Sequence, residues 1–124
     1  MAKLTYPPPA GPVDQPLVWL HGEIRTPPFS AAARAIAGRL LRRLQRRERI
    51  GMPHARPIAA LGPRCIELRI ADGSVDWRVV CRADPDAIVV VDVFRKTTQK
   101  IPNRVVATAR DRLARYDRCR TREA

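Results

Sequence analysis

The stretch Cys65–Phe94, CIELRIADGSVDWRVVCRADPDAIVVVDVF, decides the fold. It divides into three apolar segments, Cys65–Ile70, Asp76–Arg82 and Ala87–Phe94, which are rich in β-branched residues. The segments ADGS and DPD separate them, and both are typical of tight turns. The sequence therefore predicts three consecutive antiparallel strands, a β-meander.

Further elements are predicted around the meander. LVWLHG (Leu17–Gly22) is typical of a first strand, and RPIAAL before Cys65 is typical of a short edge strand. Apolar residues at three- and four-residue spacing from Ala31 to about Arg49 predict a helix with Ser30 as its N-cap. Gly51 and Pro53 end that helix.

A second helix is predicted at the end of the chain, where Pro102 suits the first helical turn. Its apolar face contains Val105, Val106, Ala109, Leu113 and Tyr116. The expected fold class is α+β, an antiparallel meander sheet of roughly three to five strands with the helices packed on one face.

The 124 residues are enough for one domain. We expect a flexible proline-rich arm at residues 1–16, a single folded domain at 17–118 and a short C-terminal tail at 119–124. The arm lacks the apolar core of a signal peptide, and no apolar run approaches the ~20 residues that cross a bilayer.

Basic residues dominate the composition. There are 24 Lys and Arg against 12 Asp and Glu, a net charge of +12. This excess predicts an acidic partner, either nucleic acid or an acidic protein, although a GC-rich genome also enriches arginine. The first predicted helix carries six arginines opposite its apolar stripe, which form either a solvated face or a surface for acidic protein or structured RNA. They are Arg39, Arg42, Arg43, Arg46, Arg47 and Arg49.

The cysteines indicate no disulfide framework and no metal site. Cys65, Cys81 and Cys119 are odd in number and far apart, and no Cys/His group has zinc-ligand spacing. Reduced thiols are typical of the cytoplasm, where we expect the protein to reside.

Strand alternation separates the side chains of the meander into two faces. Three aliphatic or aromatic sets are expected to point toward the helices, and three arginines, Arg69, Arg78 and Arg82, toward the other face. The inward sets are Ile66, Leu68 and Ile70, then Trp77, Val79 and Cys81, then Val89, Val91 and Val93. Val80, Val90, Asp92 and Phe94 are expected opposite them. The arginines either pair with Glu67 and Asp92 in cross-strand salt bridges or form a phosphate-binding face.

The ordered set IELRI…WRVV…VFRKTTQKIP…VATARDRLARYDR resembles the HigB-like branch of the RelE/ParE toxin superfamily, a phage-derived toxin-like group. The resemblance extends from about Leu17 to Arg118. It implies a RelE/ParE-like fold and a ribosome-associated mRNA endonuclease from a type II toxin–antitoxin module. It also implies a helix-turn-helix (HigA-like) antitoxin as partner, with the toxin a monomer when free and a hetero-oligomer with the antitoxin.

Site residues follow from the resemblance, position by position. Arg69 matches the arginine of the ELR strand, Arg78 the arginine after the aromatic residue, and Lys96 the first lysine of the Phe-x-Lys motif. These three are the expected catalytic clamp. Phe94 and Lys100 match further positions of that motif and are expected to bind substrate. The other expected substrate-binding residues are Arg82, Arg95, Tyr116 and His54. Thr97 stands where the motif usually has a second lysine.

In such an RNase the ribose 2′-OH attacks the adjacent phosphate, so the enzyme supplies geometry and positive charge, and no metal or other cofactor is expected. His54 and Tyr116 are alternative general bases, and some members of the group rely on the clamp and on ribosomal groups. Two other functions stay open. They are a ParE-type inhibitor of DNA gyrase, and an inactive basic RNA-binding adaptor of the same fold, which Thr97 favours.

Overall fold

The computed structural model describes residues 14–20, 29–97 and 99–123. Within them, five strands form one sheet in the order β1-β5-β4-β3-β2. Most of the predicted arm (1–13) and the end of the predicted first strand (21–22) lie outside the described residues. The α+β class is confirmed.

The predicted meander is confirmed. It consists of β3 (Cys65–Asp72), β4 (Val75–Ala83) and β5 (Ile88–Arg95), paired antiparallel. Asp72 pairs with Val75, so the first hairpin has a two-residue loop. Gly73 opens that loop with a φ of 62°, a left-handed conformation that glycine adopts without a side-chain clash.

Short strands extend the sheet at both edges. The strand β1 (Leu17–Trp19) pairs parallel to β5, which makes the sheet mixed, whereas an antiparallel sheet was predicted. At the other edge, β2 (Ala55–Pro57) pairs antiparallel to β3. The predicted edge strand is therefore present but shorter, because Ala59–Leu61 forms a 3₁₀ turn.

Two helices complete the fold. The helix α1 (Ala31–Gln45) is four residues shorter than predicted, and its N-cap is confirmed because the Ala33 N–H donates to Ser30 Oγ at 3.1 Å. The helix α2 (Asn103–Glu123) begins directly after Pro102. It continues through residues 119–123, where a C-terminal tail was predicted. Neither helix offers the long apolar stretch that crossing a membrane requires.

The helices lie on opposite faces of the sheet, which corrects the prediction that both cover one face. The face of Leu68, Ile70, Val79 and Cys81 packs against α1. The other face packs against Val105, Ala109 and Leu113 of α2 through Val80, Val89 and Val91. The part of the second face that α2 does not reach is therefore left without a covering helix.

A β-bulge corrects the predicted alternation of β5. Val80 pairs with Asp92 whereas Cys81 pairs with Val90, so Val91 is an extra residue without a partner on β4. Before the bulge, Val89 and Val91 face α2 and Val90 faces α1, the reverse of the prediction. After it, Val93 faces α1 and Phe94 faces α2, as predicted.

The end of the predicted arm is docked on the domain. Gln15 is buried, its N–H donates to the Gln45 carbonyl at 2.8 Å, and its side chain donates to the Asp84 carbonyl at 2.7 Å. The Pro16 carbonyl accepts from Ile88 N–H at 2.9 Å. Residues 14–16 therefore pack against the folded part of the chain.

Candidate functional site

Two predicted clamp residues lie side by side on the α2 face, where Arg69 is partly exposed and Arg78 is only 4% exposed. Arg69 of β3 pairs directly with Arg78 of β4, so their side chains leave the sheet on the same side, roughly 5 Å apart at their bases. Burial lowers the pKa of the Arg78 guanidinium; Glu67 opposes this shift, and the charge of Arg69 adds to it. Such crowding of cations on one face favours the arrival of an anion.

Glu67 is the carboxylate that offsets this charge. Its side chain is only 4% exposed, and Oε1 lies 3.3 Å from an Arg56 nitrogen and 3.6 Å from Arg78 Nε. The predicted salt bridge between Arg78 and Glu67 is therefore present. Arg78 Nη1 also donates to the Trp77 carbonyl at 3.0 Å, so Glu67 and the backbone of β4 together fix the position of the guanidinium.

Lys96 joins the arginines from the end of β5. Phe94 pairs with Arg78, and the Lys96 N–H donates to the Asp76 carbonyl at 2.7 Å, which fixes the chain where it leaves the sheet. Lys96, Lys100, Arg78 and Glu67 line one small gap of about 10 Å³, so these side chains converge. We call Arg56, Arg69, Arg78 and Lys96, with Glu67 between them, the basic cluster. Among the described contacts, neither Arg69 nor Lys96 has an ion pair.

Phe94 is part of the hydrophobic core. The ring is 8% exposed and belongs to the cluster that includes Val105 and Leu113 of α2. It therefore anchors β5 beneath the basic cluster, and its face is not available to stack a base.

Arg82 has a different environment from Arg78, although both leave β4 on the same face. Arg82 is 9% exposed. Its Nε lies 2.7 Å from Asp84 Oδ1, and a terminal nitrogen lies 2.6 Å from Asp117 Oδ1 on α2. Arg120 adds ion pairs to Asp84 and Asp86. We call these five residues the ion-pair cluster, and it fastens α2 to the sheet.

Tyr116 lies with the ion-pair cluster. Its ring centroid is 6.0 Å from the Arg82 guanidinium carbon and 5.5 Å from that of Arg120. Arg82 and Arg78 are four residues apart on one strand, roughly 13 Å. The structure therefore groups Tyr116 with Arg82 and separates both from the predicted clamp.

Arg95 and His54 take two further positions. Arg95 pairs with Trp77, whose side chain packs in the α1 core, so Arg95 leaves the sheet on the face opposite to Arg78. His54 is exposed and precedes β2, and its carbonyl accepts from the Arg69 N–H at 2.8 Å. The structure thus brings His54 beside the clamp and directs Arg95 away from it.

Asp92 does not pair with the strand arginines. It lies 3.4 Å from Arg112 of α2, whose side chain also donates to the Val91 carbonyl at 2.8 Å. The predicted cross-strand pairing of Asp92 is therefore wrong, because α2 supplies its cation. This contact ties α2 to the bulge of β5.

Sequence reasoning did not identify Arg56, although it lies in the basic cluster. Arg56 pairs with Glu67 across β2 and β3, a register that no local signal in the sequence defines. Its position in a predicted edge strand next to an acidic strand residue was the available indication.

The arginines of α1 lie on the other side of the molecule. Arg43 and Arg46 pair with Glu48 at 3.1 and 3.9 Å. Most of the others are exposed, which is compatible with either of the two roles expected for them.

No metal site is apparent in the described ranges, where His, Cys, Asp and Glu side chains form no group of three or more able to hold an ion. The described cysteines are free thiols. Burial raises the pKa of Cys81 to about 12 and also raises that of Cys65, so both stay protonated at neutral pH.

The comparisons with known proteins identify one family. Searches of curated proteins and of solved structures gave no significant match. The model of one family, described as phage derived protein Gp49-like (DUF891), matches residues 27–114. That range is more than half of the chain. It contains α1, the strands β2 to β5, the first part of α2 and the whole basic cluster. The chain therefore belongs to the phage-derived Gp49-like family.

Proposed function

We propose that this protein is the toxin of a type II toxin–antitoxin module and cleaves mRNA on the ribosome, as HigB-like toxins do. The observation that carries the proposal is the basic cluster, in which Arg69 and Arg78 are direct neighbours and Lys96 closes the gap beside them. The family is associated with RelE-like and toxin-like proteins, which supports the same reading.

In the proposed reaction the RNA supplies its own nucleophile. The ribose 2′-oxygen forms a bond to the adjacent phosphorus, and the bond from phosphorus to the 5′-oxygen breaks. The products are a 2′,3′-cyclic phosphate and a 5′-hydroxyl end. The guanidinium groups of Arg69 and Arg78 and the ammonium group of Lys96 stabilise the charge that grows on the phosphoryl oxygens.

Two protons move in this reaction. One leaves the 2′-OH, and one is delivered to the departing 5′-oxygen. His54, the histidine within the described residues, is beside Arg69 and is the proposed proton carrier. Tyr116 is left out of the proposed site because it contacts Arg82 and Arg120.

The test is expression in bacteria, followed by primer extension on cellular mRNA. The wild-type protein should arrest growth and create new 5′ ends in translated messages. Arg69→Ala and Lys96→Ala should each lower the cleavage rate about 10²- to 10³-fold, since each removes a positioned donor. Arg39→Ala, which removes an exposed arginine of α1, is the matched control and should remain toxic. Full toxicity of both cluster variants would refute the site.

A specific partner and location accompany the proposal. Growth should be restored by a helix-turn-helix protein encoded beside this chain, and the action on ribosomes requires the cytoplasm. A gyrase inhibitor would instead block supercoiling by purified gyrase in the absence of ribosomes.

Thr97 supports a second candidate, an inactive adaptor that binds RNA. Thr97 is exposed next to Lys96, where the related motif has a lysine, so the site has one positive charge fewer. Growth arrest without new 5′ ends would favour this candidate. A Thr97→Lys variant that gained cleavage would identify the missing charge as the cause.

A further inference from the structure

A cleft adjoins the basic cluster between β2, the 3₁₀ turn and the segment before α2. It has a volume of about 500 Å³, within the range of roughly 300–1,000 Å³ that small-ligand sites occupy. Its walls include Arg56, Ile58, Glu67, Gln99, Lys100 and Ile101. We call it the Glu67 cleft.

The Glu67 cleft and the basic cluster share their dividing wall. Arg56, Glu67, Gln99 and Lys100 line both the cleft and the small gap that contains Arg78 and Lys96. Arg56 and Arg78 are separated by two inter-strand spacings, roughly 10 Å, with Glu67 between them. An RNA strand held by Arg78 and Lys96 can therefore continue into the cleft without passing over a helix or another strand of the sheet.

Glu67 presents an unused acceptor at this wall. Oε1 faces the guanidinium groups of Arg56 and Arg78, whereas Oε2 accepts no hydrogen bond from any residue in the described parts of the chain. The side chain is 4% exposed, so only a small part of it borders the cleft. A buried carboxylate oxygen without a donor costs free energy that a ligand N–H group would recover.

The remaining walls suit a planar heterocycle. Ile58 and Ile101 are apolar, and the Gln99 amide can both donate and accept. Arg56 and Lys100 supply positive charge for the flanking phosphates. An apolar slot with one fixed acceptor and a few polar groups is the usual construction of a site that distinguishes similar rings.

We propose that the Glu67 cleft binds the nucleotide next to the cleaved linkage and selects adenine or cytosine through the exocyclic amino group at N6 or N4. This inference rests on the proposed function, because it places the RNA backbone on the basic cluster. Adenine and cytosine offer such a donor to Oε2, whereas uracil offers a carbonyl at the corresponding position.

Glu67→Gln makes the proposal sharply testable. In that variant the two guanidinium groups attract the amide oxygen to the position of Oε1, so the amide NH₂ takes the position of Oε2. The wall of the cleft then changes from acceptor to donor. The preference should turn toward uracil, whose carbonyl oxygen accepts.

The experiment measures binding of 2′-O-methyl tetranucleotides of adenine, cytosine or uracil to the full chain at one fixed salt concentration, by fluorescence anisotropy. The methyl group blocks cleavage, and fixed salt holds the phosphate contribution constant. The wild-type protein should bind the adenine or cytosine oligomer at least about fivefold more tightly than the uracil oligomer. Glu67→Gln should reverse that order.

Glu48→Gln is the matched control, since it makes the same chemical change at an exposed carboxylate of the other face and should keep the wild-type order. Gln99→Ala lies in an exposed segment outside the core and should lower the adenine-to-uracil ratio even if Glu67→Gln does not fold. Equal affinity of the wild type for the three oligomers would overturn the inference, as would an unchanged order in both cleft variants.

The failure of this inference and the failure of the proposed function have different signatures. If the wild-type protein cleaves mRNA but has no base preference that depends on Glu67 or Gln99, only the cleft assignment is wrong. If the wild-type protein neither cleaves mRNA nor binds any oligomer, the proposed function fails and the cleft assignment fails with it.

Discussion

Arg78 and Arg82 occupy equivalent positions on one strand and are both buried, but their ionic partners differ. Arg82 lies under α2 and is matched by Asp84 and Asp117 at hydrogen-bonding distance. Arg78 lies beside Lys96 and the segment before α2, and it shares one carboxylate with Arg56. The number of acids that reach an arginine therefore decides how much of its positive charge is offset within the fold.

The largest expected effect is a loss of catalysis in an Arg78 variant, which tests the difference between Arg78 and Arg82. Arg78→Lys keeps the charge but removes the planar fork of donors, so cleavage should fall toward the roughly 10²-fold loss expected for one missing positioned donor. The unfolding free energy should change much less, because Glu67 keeps a cationic partner. Single-turnover cleavage and urea unfolding of the same preparation measure both quantities. A large loss of stability with normal cleavage would assign Arg78 to the fold.

The second effect is on stability, at the other end of the strand. Arg82→Met leaves Asp84, which is buried, without its closest cation, and we expect the unfolding free energy to fall by about 3 kcal/mol. Urea denaturation at neutral pH measures this change. Cleavage per folded molecule should be unchanged, and its loss would show that Arg82 also contacts substrate.

The same contact predicts a pH dependence. The hydrogen bond from Arg82 lowers the pKa of Asp117 below its ordinary value of 3.8. Because the folded-state pKa is the lower one, the stabilisation is present above that value and is lost as the pH falls through the folded-state pKa. Unfolding measured from pH 5 to pH 2 should show a shallower decline for Asp117→Asn than for the wild type. Asp111→Asn removes an exposed carboxylate from the same helix and is the control for the loss of one negative charge.

The smallest effect concerns the start of α1, remote from both clusters. Ser30 Oγ accepts from the Ala33 N–H, and Ser30→Ala should lower the unfolding free energy by about 1 kcal/mol. Thermal unfolding measures the change, and cleavage at a permissive temperature should stay at the wild-type rate. A change in cleavage would mean that α1 and the basic cluster are coupled through the sheet.

The meander and both helices were predictable because their signals are local. The ADGS turn, the Ser30 cap and the spacing of apolar residues each act within a few positions of the chain. The parallel pairing of β1 with β5 depends on residues about seventy positions apart, and no short-range pattern reports it. The same is true of α2 crossing to the face opposite α1.

The site was predictable only in part, for the same physical reason. Alternation places Arg69, Arg78 and Arg82 on one face correctly, but it carries no information on where a helix ends above that face. Arg82 joins the ion-pair cluster through Asp117, which is 35 positions away in the chain, and Tyr116 contacts Arg82 because it lies on the same helix as Asp117. The run of valines in β5 likewise does not show which residues face α1 and which face α2, since Val89, Val90 and Val91 are apolar and suit either face.

The bulge at Val91 divides β5 into a part with a spare residue and a part of fixed length. Removing Val91 would restore a regular ladder with β4, and Asp92, Val93 and Phe94 would keep their partners Val80, Val79 and Arg78. Removing Val93 instead would shift the pairing beyond it by one residue and turn Phe94 and Lys96 to the reverse side of the sheet. Shortening β5 after the bulge should thus abolish activity, whereas shortening it at the bulge should leave the basic cluster assembled. Insertions and deletions are tolerable in the hairpin loops, whereas the segment from Asp92 to Lys96 has a fixed length.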